Sequence, residues 1–91
     1  MNFQYEEGMI SYSVDGEVKA KITFPANDEG TIWDIDHTFV DESLRGQGIA
    51  NQLLAEVVRL ARAQHVQLKP TCSFAKKVFA KTPDYQALEV K

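Results

Sequence analysis

The chain has 91 residues, 44% of them hydrophobic and 25% charged, with a formal net charge of −3. This length is expected to form one domain over residues 1–91 around a modest core, and the acidic balance argues against nucleic acid as the main partner. No apolar run approaches the roughly 20 residues that cross a bilayer, and the N-terminal MNFQYEEGM has neither the basic nor the apolar region of a signal peptide, so a cytoplasmic protein without a membrane partner is expected. The lone Cys72 cannot form an internal disulfide, and no Cys/His cluster has metal-ligand spacing, so no metal is expected.

The charge is unevenly spread. Residues 1–42 carry ten acids and two bases, whereas residues 43–91 carry three acids and eight bases. Scattered solvated faces account for this split; so does a polyanion site in the C-terminal half with a cationic partner facing the N-terminal half.

Ile10, Tyr12 and Val14, then Val18, Ala20, Ile22 and Phe24, alternate with polar residues at a period of two, which predicts strands over 9–14 and 17–24. Asp15-Gly16 between them is a hairpin signal, since a type I′ turn needs positive φ at both positions. Pro25 and the polar residues 27–30 end the second strand. TIWDIDHTFV, residues 31–40, predicts a third strand with Trp33, Ile35, His37 and Phe39 on one face, and short connections make the three an antiparallel meander.

After residue 48, Ile49, Leu53, Val57, Leu60 and Ala61 recur at helical spacing, predicting an amphipathic crossover helix of about four turns. Val66–Thr71 reads as a fourth strand, parallel to the third, and Ser73 as the N-cap of a short helix over 74–81 that Pro83 stops. The fold class is therefore α+β: antiparallel meander, long crossover helix, parallel strand and short C-terminal helix.

The chemistry concentrates in Arg45-Gly46-Gln47-Gly48-Ile49-Ala50, at the start of the long helix. A helix N-terminus presents unpaired N–H groups and a partial positive charge, and glycine lets an anion approach the backbone. The nucleoside-triphosphate pattern fails because no Lys-Ser/Thr pair follows Gly48, and the dinucleotide pattern GxGxxG fails at Asn51. The stretch resembles the Arg/Gln-x-x-Gly-x-Gly/Ala motif of the GNAT superfamily of acyl-CoA-dependent N-acetyltransferases. His37-Thr38 and Pro70-Thr71-Cys72-Ser73 are similar to a small single-domain group within it, a likeness that spans nearly the whole chain.

The resemblance implies a minimal GNAT-like fold and an acetyl-CoA (coenzyme A) cofactor, whose pyrophosphate the amides of Gln47, Gly48, Ile49, Ala50 and Asn51 would bind. Arg45 and Gly46 would shape the entry, and Phe39 and Val40 would hydrogen-bond the pantetheine. The implied activity is acetyl transfer to a primary amine on a small molecule or protein lysine, in a monomer or homodimer; the alternative is a non-catalytic acyl-CoA-binding or protein-interaction module. The acceptor half of such enzymes uses N-terminal elements for which this chain has almost no counterpart.

Acyl transfer to an amine needs a neutral nitrogen, donors for the developing oxyanion and a proton for the departing thiolate. Cys72 lies before a predicted helix, where the dipole favours a thiolate; an inert buried cysteine is the competing reading. His37 is a candidate general base or a satisfied core histidine. Lys76 and Lys77 oppose the dipole of the last helix and, with Ser73, are candidates for phosphate contact, the lysines equally for solvated surface. Asp34 and Asp36 are candidates for recruiting a cationic amine.

Overall fold

The computed structural model describes residues 2–90. The predicted hairpin forms as β2 (Met9–Val14) and β3 (Glu17–Thr23), joined through Asp15 and Gly16 with φ of 53° and 82°. Positive φ at both positions matches the right-handed twist of the paired strands, which is why this dipeptide makes the turn. A short strand that the sequence reading omitted, β1 (Gln4–Glu6), pairs with β2. Its three exposed residues carry no apolar alternation.

The third strand is not continuous. It divides at Asp36 into β4 (Ile32–Ile35) and β5 (His37–Val40), which belong to different sheets. β4 pairs in parallel with β6 (Gln67–Pro70), whereas β5 pairs antiparallel with β3, giving sheets of order β1-β2-β3-β5 and β4-β6. Asp36 N–H donates to the Thr23 carbonyl at 3.3 Å while His37 also stands opposite Thr23. Two residues thus face one, a bulge, and one extra residue reverses which side chains face the core. Trp33 and Ile35 are buried before it; after it His37 and Phe39 are exposed and Thr38 and Val40 are half-buried. The expectation that all four odd-numbered residues share one face is corrected: Asp36 absorbs the change of register.

A 3₁₀ turn, Glu42–Leu44, leads to α1 (Ile49–Gln64), the predicted crossover helix. It lays Ile49, Leu53, Leu54, Val57, Val58 and Ala61 on Ile10, Ala20 and Ile22 of the sheet to form the core. It ends where His65 takes the left-handed conformation and Val66 N–H returns to the Ala61 carbonyl. α2 (Ser73–Lys81) buries Ala75 and Phe79. Its N-cap is Cys72, not Ser73: Sγ accepts from Ala75 N–H at 3.4 Å, while Ser73 occupies the first helical position. Pro83 does not only stop α2; it opens a further turn, α3 (Pro83–Gln86), as proline suits a first helical position. Among the described residues no helix is long and apolar enough to cross a membrane.

Candidate active site

The strand break at Asp36 builds the site. Beyond Ile35 the β4-β6 ladder ends, and the Ile35 carbonyl accepts from the N–H groups of both Thr71 and Cys72 at 3.0 Å. β5 then departs towards β3, so an opening lies between β5 and the start of α2. Asp41 N–H bonds the Lys19 carbonyl at 2.7 Å, and in an antiparallel ladder such bonds fall on alternate residues. Phe39 therefore spends its backbone polar groups on β3, whereas those of Thr38 and Val40 point from the free edge into the opening. Of the strand residues expected in this role, Val40 turns its backbone polar groups to the opening and Phe39 does not; Thr38, a threonine also able to hydrogen-bond such an arm, joins Val40 because β5 pairs with β3.

At the far end of β5, the Asp41 carboxylate accepts from Ser43 N–H at 3.0 Å and from Ser43 Oγ at 2.6 Å. These bonds, the hydroxyl's first, hold its carboxyl below the usual carboxylate range. This fastening fixes the 3₁₀ turn and delivers the chain to Gly46 and Gly48, with φ of 83° and 74°. Gly48 caps α1 without any side-chain bond to the helix, whose first internal bond runs from Gln52 N–H to the Gly48 carbonyl at 3.1 Å. No close, well-aligned backbone bond leaves the N–H groups of Gly46, Gln47 or Gly48 among the described residues, and those of Ile49, Ala50 and Asn51 belong to the helix's unpaired first turn. The turn and helix start that carry these donors border a pocket of about 330 Å³ lined by Val40, Leu44, Arg45, Gly46, Gly48, Ile49, Ala50 and Asn51. A Cβ built on either glycine meets no atom within 4 Å, so the space above them is open.

The structure therefore gathers Val40, Arg45, Gly46, Gly48, Ile49, Ala50 and Asn51 around one pocket, with Gln47 exposed within the same turn. Leu44 is an addition that no polar motif signals. Ser73 and Lys76 on the first turn of α2, and Lys77 just after it, are exposed and do not line it. Cys72 is half-buried, with Sγ 3.6 Å from Thr38 Oγ1. His37 and Thr38 are successive strand residues and point to opposite faces, so Cys72 stands on Thr38's side, towards the core, and His37 on the face that no helix covers. The two do not form a Cys–His pair. Asp36 accepts from Thr23 Oγ1 at 2.5 Å, and Asp34 accepts from the Thr71 hydroxyl. Among the described residues no cluster of three potential ligands could hold a metal.

A sheet opened at one strand, with a glycine-lined helix start at one end of the opening, defines an α+β domain that presents backbone donors beside a free strand edge. The family model described as GCN5-related N-acetyl-transferase matches residues 9–88, and the chain belongs to that family. A GCN5-like protein of Staphylococcus aureus, solved by NMR, superposes with a TM-score of 0.80 at 31% identity, over 98% of this chain and 87% of that one. N-acetylglutamate synthase from Neisseria gonorrhoeae, complexed with coenzyme A and N-acetyl-glutamate, matches with a TM-score of 0.65 at 19% identity, over 81% of this chain but 18% of its own. The aminoglycoside N-acetyltransferase AAC(6′)-Iy, in complex with a bisubstrate analogue, matches with a TM-score of 0.58 at 20% identity, over 91% of this chain and 60% of that one. The last two share the fold. No curated protein matches the sequence.

Proposed function

We propose that this domain is an acetyl-CoA-dependent N-acetyltransferase acting on a primary amine in the cytoplasm. The observation that carries this reading is the run of six backbone donors from Gly46 to Asn51 bordering an open pocket, continuous with the free edge of β5. The residues fit the group: two glycines leave room at the backbone, Arg45 adds a charged fork suited to phosphate oxygens, and Thr38 and Val40 offer a strand edge to an amide-bearing arm. The complexes of the two more distant neighbours, one with coenzyme A and one with a coenzyme A bisubstrate analogue, support the same cofactor. When bound, it supplies an acetyl thioester, from which the acyl carbon exchanges its bond to sulfur for one to nitrogen while a proton passes from nitrogen to sulfur.

The protein's part is positioning and proton handling. Gln47, Gly48, Ile49, Ala50 and Asn51 hold phosphate through their N–H groups, and Ser73, Lys76 and Lys77, in the N-terminal part of α2, add hydroxyl and positive charge at the opening. His37, on the uncovered face, takes the proton that an incoming ammonium must lose, since an alkylamine is mostly charged at neutral pH. Cys72, on the opposite side of β5, returns a proton to the departing sulfur. This separation supports direct attack of the amine over a Cys72 acyl-enzyme. The functional unit is a monomer or homodimer of the single domain over residues 1–91, with neither nucleic acid nor membrane as partner.

Titration with acetyl-CoA, followed by amide chemical shifts, tests the reading: shifts at residues 45–51 are expected, and their absence overturns it. Free thiol released only when an amine is added identifies the enzyme; binding without amine-dependent release identifies a non-catalytic acyl-CoA module instead.

A further inference from the structure

A second concavity is larger than the glycine pocket. A cleft of about 1050 Å³ runs from the β1-β2 turn past the end of β3 to α1, with Met9, Phe24, Trp33 and Leu60 among its walls. Three carboxylates line it, those of Glu6, Glu7 and Asp36, and no Lys, Arg or His does. Asp36 is held by Thr23, but the carboxylates of Glu6 and Glu7 have no hydrogen bond or ion pair among the described residues; the two ion pairs found there are Lys19–Glu17 and Arg59–Glu56. An apolar wall edged with uncompensated negative charge is complementary to one kind of small ligand: methylene segments lie against the wall while cationic nitrogens meet the rim.

The cleft also ends where the chemistry begins. Asp36 is the bulge residue at which β5 leaves β4, and Thr23, in the cleft wall, is the cross-strand partner of His37. From Val40 at the glycine pocket to His37 the strand runs roughly 10 Å at 3.3 Å per residue, so β5 spans the distance between the pocket and the cleft.

Resting on the acetyltransferase reading above, we infer that this cleft is the acceptor site and takes an aliphatic amine carrying two or more cationic nitrogens. One nitrogen is presented at Asp36 and His37, and the others are held by Glu6 and Glu7. Neutral and anionic amines lack the second contact and are poor ligands. A lysine-bearing peptide shares the terminal ammonium but brings a polar backbone that the apolar wall does not match.

Spermidine is the probe, titrated into the full chain and followed by amide shifts and Trp33 fluorescence. Saturable changes are expected at residues 6–9, 23–24 and 36, and not with the uncharged 1,8-octanediol. Glu6→Gln with Glu7→Gln is expected to weaken spermidine about three- to tenfold, as befits two partly exposed ion pairs, and added salt should reduce the affinity of the unaltered chain. Glu17→Gln, at the opposite end of the β2-β3 hairpin, should change nothing. No shifts in the cleft, equal response to the diol, or equal weakening by Glu17→Gln overturns the inference. Tighter binding of a lysine peptide than of spermidine overturns it as well, in favour of a protein acceptor. Circular dichroism confirms that the double variant is folded. The same samples then receive acetyl-CoA: shifts at 45–51 without a spermidine response defeat the acceptor site alone, whereas their absence defeats the cofactor reading whatever spermidine does.

Discussion

Gly48 offers a way to separate backbone strain from ligand recognition. Gly48 and Gly16 both hold left-handed backbone, at φ of 74° and 82°, and at neither would a new Cβ meet an atom within 4 Å. An alanine at either position therefore suffers the same conformational penalty, about 1–2 kcal/mol, partly offset by stiffening of the unfolded chain. With a net cost of about 1 kcal/mol, Gly48→Ala and Gly16→Ala should each lower Tm by roughly 4–8 °C in a domain of this size. Their effects on the cofactor should differ. Gly48 lines the pocket, so its methyl enters the space left for phosphate and disrupts one charge-assisted bond, worth about 1.5–3 kcal/mol. Calorimetric titration should therefore show acetyl-CoA binding weakened about ten- to hundredfold by Gly48→Ala and unchanged by Gly16→Ala. Equal affinities in two variants of equal Tm would falsify the pyrophosphate cradle.

His37→Gln should lower kcat/KM about a hundredfold, the usual scale of a lost general base; a kcat/KM like that of the parent removes His37 from proton transfer. Cys72→Ser should keep the cap of α2, since a hydroxyl serves that position well, so Tm should hold while kcat falls tenfold or more; an acetyl adduct on Cys72 in intact-mass measurements of the unaltered protein would refute direct attack. Tyr5 donates to Glu56 at 2.5 Å, and Arg59, the larger influence, together with Tyr5 holds the Glu56 carboxyl below its ordinary value of 4.5. A depressed carboxyl stabilises the fold fully above that value and loses this contribution as pH falls through the lower folded one. Tyr5→Phe should therefore cost a few tenths to about 1 kcal/mol in urea unfolding at pH 7, and the loss should shrink towards pH 3; a pH-independent loss would assign Tyr5 a packing role only.

Local signals sufficed for the hairpin, the crossover helix and the glycine turn, because each is decided by residues near in sequence. Asp15-Gly16 can make its turn with no help from the rest of the chain, and the spacing of Ile49, Leu53 and Val57 is a helix face wherever it packs. β1 carries no such signal, since its stability comes from pairing with Ser11, Ile10 and Met9. The capping residue of α2 was misread for a similar reason. Cysteine is not among the common caps, and only the placement of Sγ against Ala75 N–H distinguishes it from the better-known Ser73 beside it.

The break at Asp36 is the instructive case, because the residues around it favour strand on both sides and only a tertiary choice separates them. Trp33 and Ile35 are drawn to the core beside Leu68 of β6, while Ile22 and Ala20 of β3 face Thr38 and Val40. A straight strand cannot satisfy both partners, since without an added residue the side that buries Ile35 would bury His37 next. The bulge resolves this conflict, and in doing so creates three features on which the proposed chemistry draws: a free edge at Thr38 and Val40, a histidine turned to the uncovered face, and a cysteine left on the other. A substitution that restored a regular strand here would close the opening, so the local irregularity and the proposed chemistry have the same cause.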